Sequence, residues 1–344
     1  METNNSTLPP CAVIILNWNG EKLLREFLPS VLKGTNPSYG RVIVADNGST
    51  DNSISVLREE FPQAEILRFP ENYGFAEGYN KALAWALEKG YRYTVLLNSD
   101  VSTPQGWLEP LVDYMESHPG YGACQPKILS YKEPEKFEYA GASGGFIDRN
   151  GYPFCRGRIF DKVETDTGQY DNEREIFWAT GAALMVPTAL YIEAGGLDAG
   201  FFAHMEEIDL CWRIHLLGKS IAVVPSSHVF HLGGGSLPAS NPRKTYLNFR
   251  NNLLLLHKNL PEKDLCPTLL RRRLLDTVAW AKFILTFDFS NANAILRAHR
   301  DFRKMRHSYT THPSRNLLRD HLQRRNILLD HYLRRITRFS DLKM

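Results

Sequence analysis

Asn98 and Asp100 stand two residues apart where an apolar run, Tyr93 to Leu97, stops on Asn98-Ser99-Asp100-Val101. A carboxylate and an amide held at a strand end suit a hard divalent cation on a diphosphate, because such ions prefer oxygen ligands and keep positions open for phosphate. The same residues are also ordinary turn chemistry. Further on, Glu206, Glu207 and Asp209 put three carboxylates within four positions, with Arg213 four residues beyond Asp209. Crowded like charges raise one another's pKa, which poises a carboxylate as a base near neutral pH. On a helix Asp209 and Arg213 would pair on one face, leaving Glu206 or Glu207 to face a crevice; an acidic helix start that complements the dipole is the alternative. His231 leads into Gly233-Gly234-Gly235-Ser236, a loop that could close over a metal.

These residues need a scaffold, and its pattern is regular. Cys11 to Leu16, Arg41 to Ala45, Ala64 to Phe69 and Tyr93 onward read as strands, separated by helical patterns over Lys22–Lys33, Asn52–Glu60 and Ala76–Glu88. Strict alternation means βαβ units and a mostly parallel sheet, with polar strand ends lined up on one edge. Asp46 ends the second strand, where it could accept from a ribose hydroxyl or a base N–H; capping the next helix is a role that Asp51 fills more naturally. The glycine-punctuated stretch Asn72-Tyr73-Gly74-Phe75-Ala76-Glu77-Gly78 would let a helix start approach an anion. No GxGxxG follows the first strand and no GxxxxGK[ST] occurs, so side chains and a metal must hold any nucleotide. Trp107–Ser117 looks helical, residues 120–177 read as excursions over the sheet, and Trp178 to Val186 gives a small-residue turn into a buried strand. A further strand spans Ser220–Val224.

With 344 residues, 43% hydrophobic and 23% charged, the chain can bury one large core plus an appended element. Five scattered cysteines without a CxxC pair point to a reducing compartment, the cytosol. Met1 to Pro10 is polar, lacks a signal pattern and is expected to be a flexible lead; no apolar run reaches the length of a spanning helix. Residues 243–344 carry 22 Lys/Arg and 8 Asp/Glu, against 19 and 30 before them. An acidic body with a basic tail implies an anionic partner, nucleic acid or membrane surface. The tail's apolar residues are mostly leucines at helical spacing rather than aromatics interleaved with Lys/Arg, which disfavours nucleic acid. Leu269–Phe287 and Leu317–Phe339 read as basic amphipathic helices that would lie on an anionic leaflet, or pack on the body or a second copy.

The ordered set Asn17-Trp18-Asn19, Asp46-Asn47-Gly48-Ser49-Thr50-Asp51, Asn72-Tyr73-Gly74-Phe75, Leu97-Asn98-Ser99-Asp100, Thr180-Gly181-Ala182, Glu206 to Arg213, and His231 resembles the inverting family 2 glycosyltransferases of GT-A fold, in particular the bacterial rhamnosyltransferase-like and galactofuranosyltransferase-like branch. The resemblance implies an α/β GT-A nucleotide-sugar domain over residues 11–258 and a basic helical region over 259–344. It assigns donor binding to Asn17, Asp46, Asn47, Asn72, Gly74, Asn98 and Asp100, and the metal, Mg²⁺ or Mn²⁺, to Asp100 and His231. It places the catalytic base at Glu207, with Glu206 as its substitute, support at Asp209 and Arg213, and the acceptor side at Trp178, Thr180, Gly181 and Ala182. Two departures stand out. Asn98 replaces the first acid of the DxD form, and Glu207 stands where Asp is common.

The implied reaction moves a sugar from a dTDP- or UDP-sugar to a glycan or lipid-linked glycan acceptor for cell-surface polysaccharide, at the cytoplasmic face of the inner membrane. A sugar-phosphate nucleotidyltransferase would show a glycine- and basic-rich loop after the first strand. A non-catalytic scaffold would usually lose Asp100 or the acidic pair.

Overall fold

The first strand, β1 (Cys11–Asn17), owes its burial to an apolar run from Cys11 to Leu16, with Cys11, Val13 and Ile15 packed to one face of a sheet and Ala12 and Ile14 to the other. Burial on both faces marks a central parallel strand. The computed structural model describes residues 8–233, 241–320 and 325–342. After β1 come α1 (Glu21–Gly34), β2 (Gly40–Asn47), α2 (Ser53–Glu60), β3 (Glu65–Phe69), α3 (Gly74–Lys89), β4 (Tyr93–Leu97), β5 (Val101–Ser102) and α4 (Glu109–Ser117). β6 (Tyr121–Ser130) follows, then short strands β7 (Gly145–Ile147), β8 (Pro153–Cys155), β9 (Arg158–Ile159), β10 (Lys162–Val163) and β11 (Arg174–Ile176). The body ends with β12 (Ala183–Pro187), α5 (Thr188–Glu193), α6 (Glu206–Leu216) and β13 (Ser220–His231).

The main sheet runs β11-β13-β6-β12-β4-β1-β2-β3, with β5 on β13, and β7 to β10 form a second, four-stranded sheet. The expected βαβ half is present: β1 pairs in parallel with both β2 and β4, and β2 with β3. The chain therefore changes direction between β1 and β4, where the carboxyl ends of open α/β sheets form a ligand crevice. Beyond β4 the sheet is mixed, since β12 runs antiparallel to β4 and β6 while β13 is parallel to β6.

Two expectations about the body are corrected. Residues 120–177 are not merely excursions, because β6 is a ten-residue strand in the middle of the main sheet. Its Gln125, Pro126 and Lys127 hid it, and Lys127 is buried only because Asp166 and Asp171 pair with it. β13 continues past Val224 to His231 across a register shift at Val224/His228, so His231 is a strand residue. Gly234 to Ser236 of the expected loop, like residues 1–7 of the expected lead, lie outside the described residues.

The tail forms α7 (Pro242–Asn259), α8 (Glu262–Leu285), α9 (Phe289–Met305), α10 (Leu317–Asp320) and α11 (Ile327–Tyr332). Among the described residues, the helix expected over Leu317–Phe339 is instead the short helices α10 and α11 and a 3₁₀ turn at Phe339, with Leu318, Ile327 and Phe339 each dropping separately into the core. Phe339 packs on Phe146 of β7 at 5.0 Å between ring centroids, and the Ile327 N–H donates to Asp148 at 3.1 Å. Leu253 to Leu256, Leu265 and Phe302 share one apolar cluster with Ile14, Leu184 and Trp212 of the body.

Candidate active site

Asn17 and Asp46 are cross-strand neighbours at the ends of β1 and β2, both fully buried. Asn17 Nδ2 donates to Asp46 Oδ1 at 3.1 Å and to Ser49 Oγ at 3.2 Å, and Asp46 Oδ2 accepts from the Ser49 N–H at 3.1 Å. Their role in the fold is to pin the Gly48-Ser49-Thr50 turn, which borders a recess of about 470 Å³ together with Arg68, Phe69 and Pro70. Asn47 Nδ2 donates to Asn72 Oδ1 and the Gly74 carbonyl, both at 3.0 Å, and Asn47 Oδ1 accepts from the Tyr73 N–H. These bonds fix the start of α3, where Gly74 at φ +77° makes a turn that a side chain would strain. Arg68, Ser49 and Thr50 were not singled out as ligands from the sequence, because a recess between two strand ends has no linear signature.

Asp100 sits between β4 and β5, and its Oδ1 lies 3.1 Å from His231 Nε2. Asn98 Nδ2 is 3.5 Å from the same nitrogen. Behind the ring, Glu138 Oε2 approaches His231 Nδ1 to 3.4 Å, without the alignment of a hydrogen bond. Burial opposes charge on this imidazole, but the two flanking carboxylates overcome it and raise its pKa to about 10. The spot is built for positive charge. Neighbouring ligands of one hard cation stand about 3 Å apart at typical bond lengths, so Asp100 Oδ1 and His231 Nε2 fit a shared ion. Among the described residues no three His, Cys, Asp or Glu side chains form a ready cage, so further ligands must come from phosphate and water. Glu138 was not foreseen; it is far in sequence from both partners.

The acidic cluster opens α6 after a strained approach. Phe202, His204 and Met205 all have positive φ, a conformation bulky residues rarely take. Helix α7 clamps this loop: Asn251 Nδ2 stands 2.8–2.9 Å from the carbonyls of Phe201, Ala203 and His204, and Arg250 Nη2 donates to Phe201 O at 2.8 Å. Glu206 is buried and Glu207 half-buried, and each has one carboxylate oxygen out of contact with solvent and without a partner. Burial, then the neighbouring Glu207, push Glu206 up to about 8; burial raises Glu207 as well. Asp209, fully buried, takes the expected pair from Arg213 at 2.7 Å and adds Lys258 Nζ at 2.8 Å and Asn259 Nδ2 at 2.7 Å.

Thr180 to Ala182 bridge the two acidic regions. The Asn98 N–H donates to the Ala182 carbonyl at 3.0 Å, and a methyl on Gly181 would stand 3.8 Å from Glu207 Cβ and 3.9 Å from Phe75. Thr180 N–H donates to Gln125 Oε1 and Thr180 Oγ1 accepts from the Ala182 N–H, which holds this turn rigid. Trp178 is not brought to the crevice: its ring is buried and its indole N–H donates to Phe146 O at 2.9 Å.

Residues 12–170 match the family described as Glycosyl transferase family 2. The N-acetylglucosaminyl-diphospho-decaprenol L-rhamnosyltransferase of Mycobacterium tuberculosis is 26% identical over 241 residues, covering 64% of this chain and 75% of its own length. Rhamnosyltransferase WbbL of Escherichia coli is 26% identical over 226 residues, covering 64% and 82%. Among solved structures, GalNAc-T7 with UDP, GalNAc and Mn²⁺ superposes with a TM-score of 0.57 at 17% identity over 75% of this chain, which spans 49% of that one. The mannosyltransferase PcManGT from Pyrobaculum calidifontis, in complex with GDP-Man and Mn²⁺, gives 0.51 at 15% identity, covering 88% and 84%. The structural likenesses show a shared GT-A fold.

Proposed function

We propose that this chain, a glycosyltransferase carrying a family 2 domain over residues 12–170, moves a sugar from a dTDP- or UDP-linked donor to a lipid-linked glycan, with inversion and with Mg²⁺ or Mn²⁺. The observation that carries this reading is the turn Thr180 to Ala182, which joins a cation-ready pair, Asp100 and His231, to a desolvated carboxylate, Glu207, across one crevice. A reaction that must stabilise a leaving diphosphate at one end and remove a proton at the other needs both groups in that relation.

On this reading the nucleoside lies in the recess beside Ser49, Thr50 and Arg68, over the base formed by Asn17 and Asp46. Asp100 and His231 would hold the ion, which when bound would supply positive charge to offset what builds on the departing diphosphate. Glu207 takes the proton of an acceptor hydroxyl as that oxygen forms its bond to the anomeric carbon. The bond to the β-phosphate oxygen breaks with its electron pair, and nucleoside diphosphate leaves. Attack opposite the leaving group inverts the centre. The relatives' rhamnosyltransferase names support rhamnose as the sugar, and the name of the mycobacterial one supports a polyprenyl-diphosphate-linked acceptor; on this reading the reaction serves cell-surface polysaccharide synthesis at the cytoplasmic face of a bacterial inner membrane.

The test is to offer a panel of nucleotide sugars with N-acetylglucosaminyl-diphosphoprenol and to follow nucleoside diphosphate release and the anomeric proton of the product. One donor should be consumed with inverted configuration. Retained configuration, or no donor consumed, would sink the reading.

A further inference from the structure

Helix α8 is turned inside out. Its buried side is largely polar, with Asp264, Thr268, Arg272 and Asp276, whereas Leu270, Leu274, Val278 and Leu285 face outward. The inward polar groups pair with one another: Arg272 Nη2 donates to Asp276 Oδ1 at 3.2 Å, His299 of α9 stands 3.0 Å from Asp276 Oδ2, and the Arg272 guanidinium lies 3.8 Å over the Tyr152 ring. The outward leucines fall at steps of four, four and seven residues, which makes one narrow stripe along the helix. The stripe runs into the turn before α9, where Phe287 and Phe289 extend it; these residues are 57–80% exposed. Phe287 also adopts φ +58° at the helix end, a position where glycine or asparagine is the unstrained choice. Its N–H donates to Ile284 O, and the Asp288 N–H to Phe283 O, so the turn is well formed and presents the ring to solvent.

Basic residues border the stripe. Arg271 and Lys282 are exposed on one flank and Arg273 on the other, and between α8 and α9 a groove of about 360 Å³ combines Trp280, Ile295 and Leu296 with Arg273, His299 and Arg303. No helix among the described residues is long and apolar enough to cross a membrane. A narrow apolar stripe rimmed by cations, ending on two aromatic rings, matches a helix lying in the interface of an anionic leaflet. A second copy of the chain fits this surface poorly, because a symmetric contact would face arginine with arginine.

We propose that the outer face of α8 and the Phe287–Phe289 corner form the surface by which this protein docks on an anionic lipid bilayer. This deepens the reading of a lipid-linked acceptor, which such docking would bring within reach.

The experiment is pelleting of the full-length protein with phosphatidylcholine vesicles that contain or lack phosphatidylglycerol. Wild type should pellet with the anionic vesicles and be released by salt. Phe287→Glu with Phe289→Glu, and separately Arg271→Glu with Lys282→Glu, should each weaken partition about tenfold or more. All four residues are exposed, so circular dichroism should be unchanged, as should turnover on a water-soluble acceptor. Equal pelleting of wild type and both variants, or wild-type pelleting that ignores lipid charge, would overturn the proposal. So would sedimentation velocity showing a wild-type dimer that the phenylalanine variant dissociates, which would make the face a self-association contact. Vesicle binding without transfer from any donor would count against the enzymatic reading alone; transfer without vesicle binding would count against the docking surface alone.

Discussion

The side-chain amide of Asn251 stands 2.8 Å from the carbonyl of His204, a residue held at φ +69°, and so one side chain of α7 fixes the strained loop that delivers Glu206 and Glu207. Asn251→Ala strips the Ala203 and His204 carbonyls of this donor, which destabilises the fold by about 1–3 kcal/mol in urea melts. The kinetic signature should be selective. The loop's freedom lowers kcat while donor KM stays near wild type, because Asn17, Asp46 and Asp100 are untouched. An unaltered kcat would show that the clamp serves stability alone.

The glutamate pair sets the pH dependence. Burial, then the neighbouring Glu207, push Glu206 up to about 8, and burial raises Glu207 as well. The base works unprotonated, and burial raises Glu207, so the rise of kcat/KM with pH should lie above the ordinary glutamate range. Stability runs the other way: the folded state holds this proton more tightly than the unfolded chain, where glutamate titrates near 4.5. The pair's contribution is full below that value and is lost as pH rises through about 8. Glu207→Gln should lower kcat roughly 10²–10⁴-fold, and Glu206→Gln less. The reverse ranking would transfer the role of base to Glu206.

Glu138 Oε2 lies 3.4 Å from His231 Nδ1, on the side of the ring away from Asp100, the position from which outer carboxylates orient metal-bound histidines. Chelation with EDTA should abolish turnover, and Asp100→Ala should lower kcat/KM by orders of magnitude. Glu138→Gln should weaken Mn²⁺ binding in the presence of a nucleoside diphosphate about 10–100-fold, read by electron paramagnetic resonance. Wild-type affinity in that variant would mean that Glu138 only packs.

Local periodicity made the β1-to-β4 half legible in the sequence, since β1, β2 and β4 are buried apolar runs and β1 pairs with β2, and β2 with β3, across a single helical connection. Asp209 with Arg213 was legible for the same reason, being one helical turn apart. What escaped depends on long-range compensation. β6 carries a lysine that only Asp166 and Asp171 make tolerable, Glu138 reaches His231 from 93 positions away, and α8 reverses the usual inside and outside of an amphipathic helix. The leucine stripe itself was visible; which way it faced was not. The fragmented end, α10 and α11, escaped because the contacts with the body there are made by Leu318, Ile327 and Phe339, which do not share one helical face, while Leu329 and Leu333 stay exposed.

Gly181 gives a test of the acceptor side by size alone. Added carbon at this position would meet Glu207 Cβ at 3.8 Å and Phe75 at 3.9 Å, both ordinary van der Waals contacts, so Gly181→Ala fits without moving a neighbour. On the proposed reading, a leucine there extends into the space through which an acceptor hydroxyl would reach Glu207. Gly181→Ala should therefore keep acceptor KM within about threefold of wild type, since one methyl in a tolerant pocket is worth little. Gly181→Leu should raise acceptor KM by about tenfold or more and leave two other quantities in place: donor affinity, which depends on the far side of the crevice, and slow hydrolysis of the donor by water, which is small enough to pass. Parallel loss of donor affinity and hydrolysis would show that the leucine distorts the Asn98–Ala182 link, and that Gly181 belongs to the donor site instead.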